Sequence, residues 1–342
     1  MDKYESDSFR STFMFREIME EPETITNTVN SVISDVLRAV NLIKKSKITY
    51  VVGSGTSYHA AMIMQIGMLK AGLPAIAVRS SEFSYFTPPD NVGIVVVLIS
   101  QSGESKDIKD ALNLCLKNGY HTIGITNSPK SSISTGTEVS VVTVAGEERS
   151  LAATKSHVAQ LIVSYLLVSS LNDHGKIEDC IEKCIGIASR IKEIIDRNKD
   201  YSDLARGITG RIVFLGDGTL HAEAMEGALK FEETANMITE AYPLGEYLHG
   251  PIQVLRSDDT VIILKGRDNK EYERLISRLN NFTKNIITIG KSKESTIPIP
   301  ECEIEDLDPI LYIIPVQILA NIKTVDLGLD PDKPTRLTKV VK

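Results

Sequence analysis

Basic residues are too few for this 342-residue chain to be a general binder of nucleic acid or membrane surfaces. Lys and Arg number 38 against 45 Asp and Glu, a net charge of −7. That balance still leaves room for one anionic ligand held locally. Cysteine is also sparse: the four are scattered at 115, 180, 184 and 302. Cys180 and Cys184 lie one helical turn apart, which suits a helix face, and no His or Cys cluster completes a metal site. Neither a metal nor a cofactor is expected. No apolar run approaches membrane-spanning length and the polar N-terminus has no apolar leader core, so a cytoplasmic protein with reduced thiols is expected. The turn Gly53-Ser54-Gly55-Thr56-Ser57-Tyr58 lacks the third glycine of a dinucleotide fingerprint, and no complete P-loop pattern is present.

What is there is an alternation of strands and helices. A chain of this length exceeds the usual single domain, so two domains are expected. Residues 1–22 carry a partial helical stripe, Phe9, Phe13, Met14, Phe15 and Ile18, which reads as an arm packing on a neighbour. Pro22 marks a boundary, and the spacing of Val29, Ile33, Val36, Leu37, Val40 and Ile43 predicts a helix over 25–44. Strands are expected at 48–52, 75–78, 92–99, 121–126 and 139–144, with helices at 60–71, 105–117 and 152–171. The run from Val92 to Ile99 is apolar throughout, as in a parallel strand covered on both faces.

After a charged helical connector at 177–197, strands recur at 212–215, 261–264 and 286–289, and helices at 220–235, 272–282 and 311–327. Residues 51–62 (VVGSGTSYHAAM) align without gaps on 214–225 (FLGDGTLHAEAM), and both pieces read strand, glycine turn, helix. The fold class is therefore α/β, with two similar doubly wound domains. An arm and helix occupy 1–45, the first domain 46–175, the second 200–329 and a charged tail 330–342.

Hydroxyl groups crowd the strand-to-helix turns of the first half: Thr56 and Ser57 in one, Ser100, Ser102 and Ser105 in the other. Free N–H groups at a helix start favour an anion, and small hydroxyls add donors without bulk. Helix capping by Ser102 or Ser105 is the simpler alternative, but two such turns at strand ends of one sheet tip the balance toward a phosphate. A third polar turn, Ser150–Ser156 with Ala152 inside it, is a candidate to close the same site, and Lys155 there is either a helix-face charge or a ligand contact. In the second half, Glu226, Lys230 and Glu233 share one helix face by spacing, and Glu246 and His249 lie on a turn between Pro243 and Pro251. A carboxylate and an imidazole near one another are raw material for proton transfer. A solvated helix face and a turn would account for each residue alone.

The motifs GTSYHA, SQSGES, LAATKS, EGALKFEE, EAYPLGEYLHGP and PTRLTKVV, in this order from about residue 50 to the end, together resemble the sugar isomerase (SIS) family, above all the isomerase half of the glucosamine-6-phosphate synthases. The resemblance implies two tandem parallel-sheet sandwiches of three layers each, in a homodimer with the active site at the interface. Thr56, Ser57, Ser100, Gln101, Ser102 and Ser105 would hold a sugar phosphate, with Ala152 beside them. Glu233 would move a proton between C1 and C2, and His249, contributed by the partner subunit, would open the ring. Glu226 and Lys230 would line the site, and Lys339 would meet the open-chain ketose as a Schiff-base amine.

About 50 residues precede the first strand, too few for the glutaminase domain of the synthases. The implied reaction is therefore glucosamine 6-phosphate to fructose 6-phosphate and ammonia, or the reverse with free ammonia. A phosphosugar aldose–ketose isomerase without amine chemistry, an amino-sugar-phosphate deglycase or deaminase, and a non-catalytic sugar-phosphate sensor stay open. The sensor is disfavoured by the lack of a basic recognition helix.

Overall fold

A computed structural model describes residues 8–87, 93–171, 177–197, 201–266, 270–302 and 307–339. The first half runs α1 (Phe13–Met19), α2 (Glu21–Ile43), β1 (Ile48–Gly53), α3 (Thr56–Lys70), β2 (Ala75–Arg79), α4 (Phe83–Phe86), β3 (Ile94–Ile99), α5 (Lys106–Asn118), β4 (His121–Thr126), α6 (Ser132–Gly136), β5 (Val139–Val142) and α7 (Lys155–Leu171). There follow α8 (Ile177–Asp196), α9 (Tyr201–Gly207), β6 (Ile212–Leu215), α10 (Thr219–Ala235), β7 (Thr239–Tyr242), α11 (Leu244–Tyr247), β8 (Thr260–Lys265), α12 (Lys270–Leu279), β9 (Ile286–Gly290), β10 (Ile297–Pro298) and α13 (Asp308–Asp326).

Two five-stranded sheets result, ordered β2-β1-β3-β4-β5 and β10-β9-β8-β6-β7, with every pairing parallel. Numbered within its own half, each sheet has the order 2-1-3-4-5, and each reverses direction of winding after its first two strands. β3 is buried at all six positions, as its unbroken apolar run requires of a strand covered on both faces. The strand expected to start at Val92 starts at Ile94, and Val92 lies outside the described residues.

By contact the chain divides into two compact units. One holds Glu20–Glu148, Ala153–Ser189 and the tail from Thr338; the other holds the N-terminal residues to Met19, Arg149–Ala152 and Arg190–Leu337. In the first unit α7 is buried at every position but Ser169 and Ser170, and it packs on α2 and α3. In the second, α13 packs on α9 and α10 and is buried from Pro309 to Thr324, with Pro315 inside it. Among the described residues no helix is long and apolar enough to cross a membrane.

The N-terminal arm differs from its expectation. Phe9, Met14, Phe15 and Ile18 are buried against α13 of the same chain, where Asn321 donates to the Phe9 carbonyl and meets the Thr12 hydroxyl. The Asp332 carboxylate accepts the N–H groups of Phe13 and Met14, at 2.7 and 2.8 Å, and so caps α1. Pro22 does mark a boundary: α1 ends at Met19, α2 starts at Glu21, and Pro22 sits in the first turn of α2, where its missing N–H costs nothing.

Candidate active site

In the first unit the turn after β1 is shaped by glycine. Gly55 has φ 52°, and a Cβ on Gly53 would lie 2.5 Å from the carbonyl oxygen of Ser57. α3 begins at Thr56, earlier than its apolar pattern indicates, so Thr56 and Ser57 occupy the first helical turn, where the Ser57 N–H donates to the Ser54 carbonyl at 3.1 Å. Ser57 is buried and its hydroxyl accepts a 3.1 Å hydrogen bond from Gln160 of α7.

The neighbouring strand β3 delivers the second turn. Ser100 Oγ accepts the Gly103 N–H at 3.0 Å, and Ser102 Oγ accepts the Glu104 N–H at 3.2 Å. The Gln101 carbonyl accepts from the Asn127 N–H and the Thr126 hydroxyl, which ties the turn to the end of β4. Gly103 has φ 66°, and a Cβ there would strike Ser131. Ser105 stands at the helix start without capping it, and the capping alternative also fails for Ser102, whose bond stays within the turn. Since β1 and β3 are adjacent and parallel, the two hydroxyl-bearing turns leave the same edge of the sheet side by side.

Glu148 was not anticipated. It is buried, and its carboxylate accepts the N–H groups of Thr154 and Ser156, at 3.0 and 3.2 Å, together with the Ser156 hydroxyl at 2.8 Å. Lys339 from the tail donates to the Glu148 carbonyl at 2.6 Å and lies 3.4 Å from its carboxylate. The tail lysine is thus seated at the start of α7. An acid shortly before a Ser/Thr-rich helix start is the signal that would have pointed to Glu148. Lys155 is buried and paired with Glu20 at 2.5 Å, and Ala152 is buried in the turn ahead of α7.

In the second unit the charged face of α10 is not solvated. Lys230 and Glu226 are fully buried, 3.2 Å apart, and Glu233 lies 2.7 Å from the same amine with its side chain 19% exposed. Burial alone pushes the Lys230 ammonium toward deprotonation, but the charges of Glu226 and Glu233 outweigh it and hold its proton affinity above the ordinary lysine range. Removing either partner of such a pair costs about 3–5 kcal/mol, because a buried charge is left uncompensated. Gly227 lets α10 lie close to the sheet: a Cβ there would come within 2.8 Å of Phe214 and 2.9 Å of Val316.

His249 stands apart from that face. It is exposed on the turn after α11 and lines a pocket of about 550 Å³ with Asp217, Leu244, Glu271, Arg274 and Arg278. Asp217 Oδ1 accepts the Leu244 N–H at 2.9 Å, and Arg211 donates to the Val254 carbonyl at 2.7 Å and to Asp259 at 3.0 Å, so both flanks of the His249 turn are held. Glu246 is exposed on the same turn. No group of three or more His, Cys, Asp or Glu able to hold a metal occurs among the described residues.

Comparison with known proteins agrees with this architecture. The SIS domain model matches residues 42–170 and 209–301. Glutamine–fructose-6-phosphate aminotransferase [isomerizing] of Aquifex aeolicus is 32% identical over 343 residues, covering 96% of this chain and 57% of the relative. Its counterpart in Gloeobacter violaceus is 33% identical, covering 96% and 58%. The chain therefore spans somewhat more than half the length of these relatives. The C-terminal domain of glucosamine-fructose-6-phosphate aminotransferase from Francisella tularensis superposes with a TM-score of 0.84 at 26% identity, covering 95% of this chain and 98% of that one. Tagatose-6-phosphate ketose/aldose isomerase from Escherichia coli shares the fold, with a TM-score of 0.82 at 18% identity over 96% of each chain. With two parallel sheets of one winding order and a family match over both, the chain belongs to the SIS domain family.

Proposed function

We propose that the protein converts glucosamine 6-phosphate to fructose 6-phosphate and ammonia. The observation that carries this reading is the charged face of α10. Lys230 neutralises the buried Glu226, and Glu233 is the member left partly open to a ligand. A carboxylate that is oriented by an ammonium yet accessible suits proton transfer at carbon. The hydroxyl turns at Thr56–Ser57 and Ser100–Ser105 hold the phosphate, with Ala152 beside them.

His249, acting from the partner subunit of a homodimer, moves the O1 proton to O5 as the C1–O5 bond opens. Glu233 then takes the C2 proton and returns it to C1, while O1 keeps the proton that the amine gives up. The product is an imine at C2. Water adds to it and ammonia leaves, giving the ketose; alternatively Lys339 displaces ammonia and is itself released by water. Ammonia-dependent synthesis is this path reversed, and the aminotransferase names of the relatives favour that direction.

The test is to incubate the protein with glucosamine 6-phosphate and measure ammonia and fructose 6-phosphate, then to supply fructose 6-phosphate with ammonium. Absence of product in both directions overturns the reading. Glu233→Gln is expected to slow exchange of the C2 proton with solvent by about a hundredfold or more while binding persists. Exchange at a near-normal rate in that variant would remove Glu233 from the role of base.

A further inference from the structure

The glycine turn of the first unit is built twice. Gly218 has φ 58° and ψ −123°, against 52° and −128° at Gly55, and a Cβ on Gly216 would lie 2.4 Å from the Leu220 carbonyl oxygen just as one on Gly53 would meet Ser57. The second turn therefore keeps the backbone of the first. Its surroundings differ: Asp217 replaces Ser54, Leu220 replaces Ser57, and no serine-rich turn follows β8. Ligands of open parallel sheets settle at the carboxyl ends of the strands where winding reverses, which here means between β6 and β8. A pocket of about 550 Å³ opens beside the end of β6, lined by Asp217 just after that strand, by Leu244, Leu248 and His249 of the segment after β7, and by Glu271, Arg274 and Arg278 of α12. Its size suits a small ligand.

We propose that this pocket is a second ligand site, separate from the hydroxyl turns, for a phosphorylated polyol. Arg274 and Arg278 are exposed, one turn apart on α12, and both line the pocket; among the described residues neither guanidinium has an ion-pair partner. Two forked cations of this kind match a phosphate. The Asp217 carboxylate repels an anion from the turn itself, which puts the phosphate on the α12 side and sugar hydroxyls against Asp217, whose Oδ1 already accepts from Leu244. Glu271 is the other acceptor in the wall. His249 shares the pocket, so an occupant stands against it. The inference rests on the duplicated turn and the pocket, not on the proposed deamination, and is read from binding alone.

The test is calorimetric titration of the full chain with glucose 6-phosphate, with glucose and inorganic phosphate as separate arms. The wild type is expected to bind two equivalents of glucose 6-phosphate per chain, inorganic phosphate more weakly, and glucose not at all. Arg274→Gln/Arg278→Gln, checked for an unchanged melting curve, is expected to lose one equivalent, with affinity at that site falling at least about tenfold. Ser100→Ala/Ser102→Ala is expected to remove the other. If the arginine pair titrates like the wild type, or if the serine pair abolishes all binding, the second site does not exist. If the arginine pair loses one equivalent while the serine pair changes nothing, the second site stands and the phosphate role of the serine turn falls.

Discussion

Tyr247 is fully buried beneath the His249 turn, and its hydroxyl has no hydrogen-bond partner among the described residues. Burial pushes its phenol up to about 12. A group whose proton is held more tightly in the folded chain than in the unfolded one contributes stability below its unfolded value near pH 10. That contribution is lost as pH rises through about 12, on the order of 2 kcal/mol. Tyr247→Phe is expected to leave stability at neutral pH unchanged or raised, since the hydroxyl is unmatched, and to shrink the alkaline loss. Urea midpoints of both proteins at about pH 7 and pH 11 check this; an equal alkaline loss in the two would exonerate Tyr247. At this scale the hydroxyls of the strand-end turns were legible, because small polar residues directly after an apolar run mark where a strand gives way to a turn. The burial of Lys230 was not. Spacing reports that Glu226, Lys230 and Glu233 share a face but not what covers it, and mutual neutralisation lets charge go where charge alone would not.

Helices fit this fold through single atoms. Gly227 is where α10 meets Phe214 and Val316, and a larger residue must displace one of them. Gly227→Val is expected to destabilise the protein by about 1–3 kcal/mol through overpacking, measured as a urea midpoint. Gly186, exposed in α8 with nothing within 4 Å of a Cβ, is the control: Gly186→Ala is expected to stabilise by about 0.5–1 kcal/mol. Long elements could be read from periodicity, and β4 and β6 run over the expected residues. Short ones were missed, among them α9 and β10, because two to seven residues hold too little of any period. α3 was begun too late because Gly55-Thr56-Ser57 has the composition of a loop, whereas the glycine conformation starts the helix directly.

At the scale of the molecule, the duplication was visible as matched glycine turns and returns as two sheets of one winding order. What a single sequence does not carry is which subunit serves which site. If His249 acts across a homodimer, mixing His249→Ala with Glu233→Gln chains is expected to restore activity. Half the dimers are then mixed and one of their two sites is intact, so recovery approaches about a quarter of wild type. Turnover of the remixed chains after dissociation measures it, and no recovery would place His249 in its own chain's site. A last consequence follows from Asp332, which holds the N–H groups of Phe13 and Met14 across 319 and 318 positions of sequence. The clasp fastens α1 to a segment more than three hundred positions away, so cutting the chain between Asp332 and α13 would strip α1 of its cap while its apolar face stayed packed on α13.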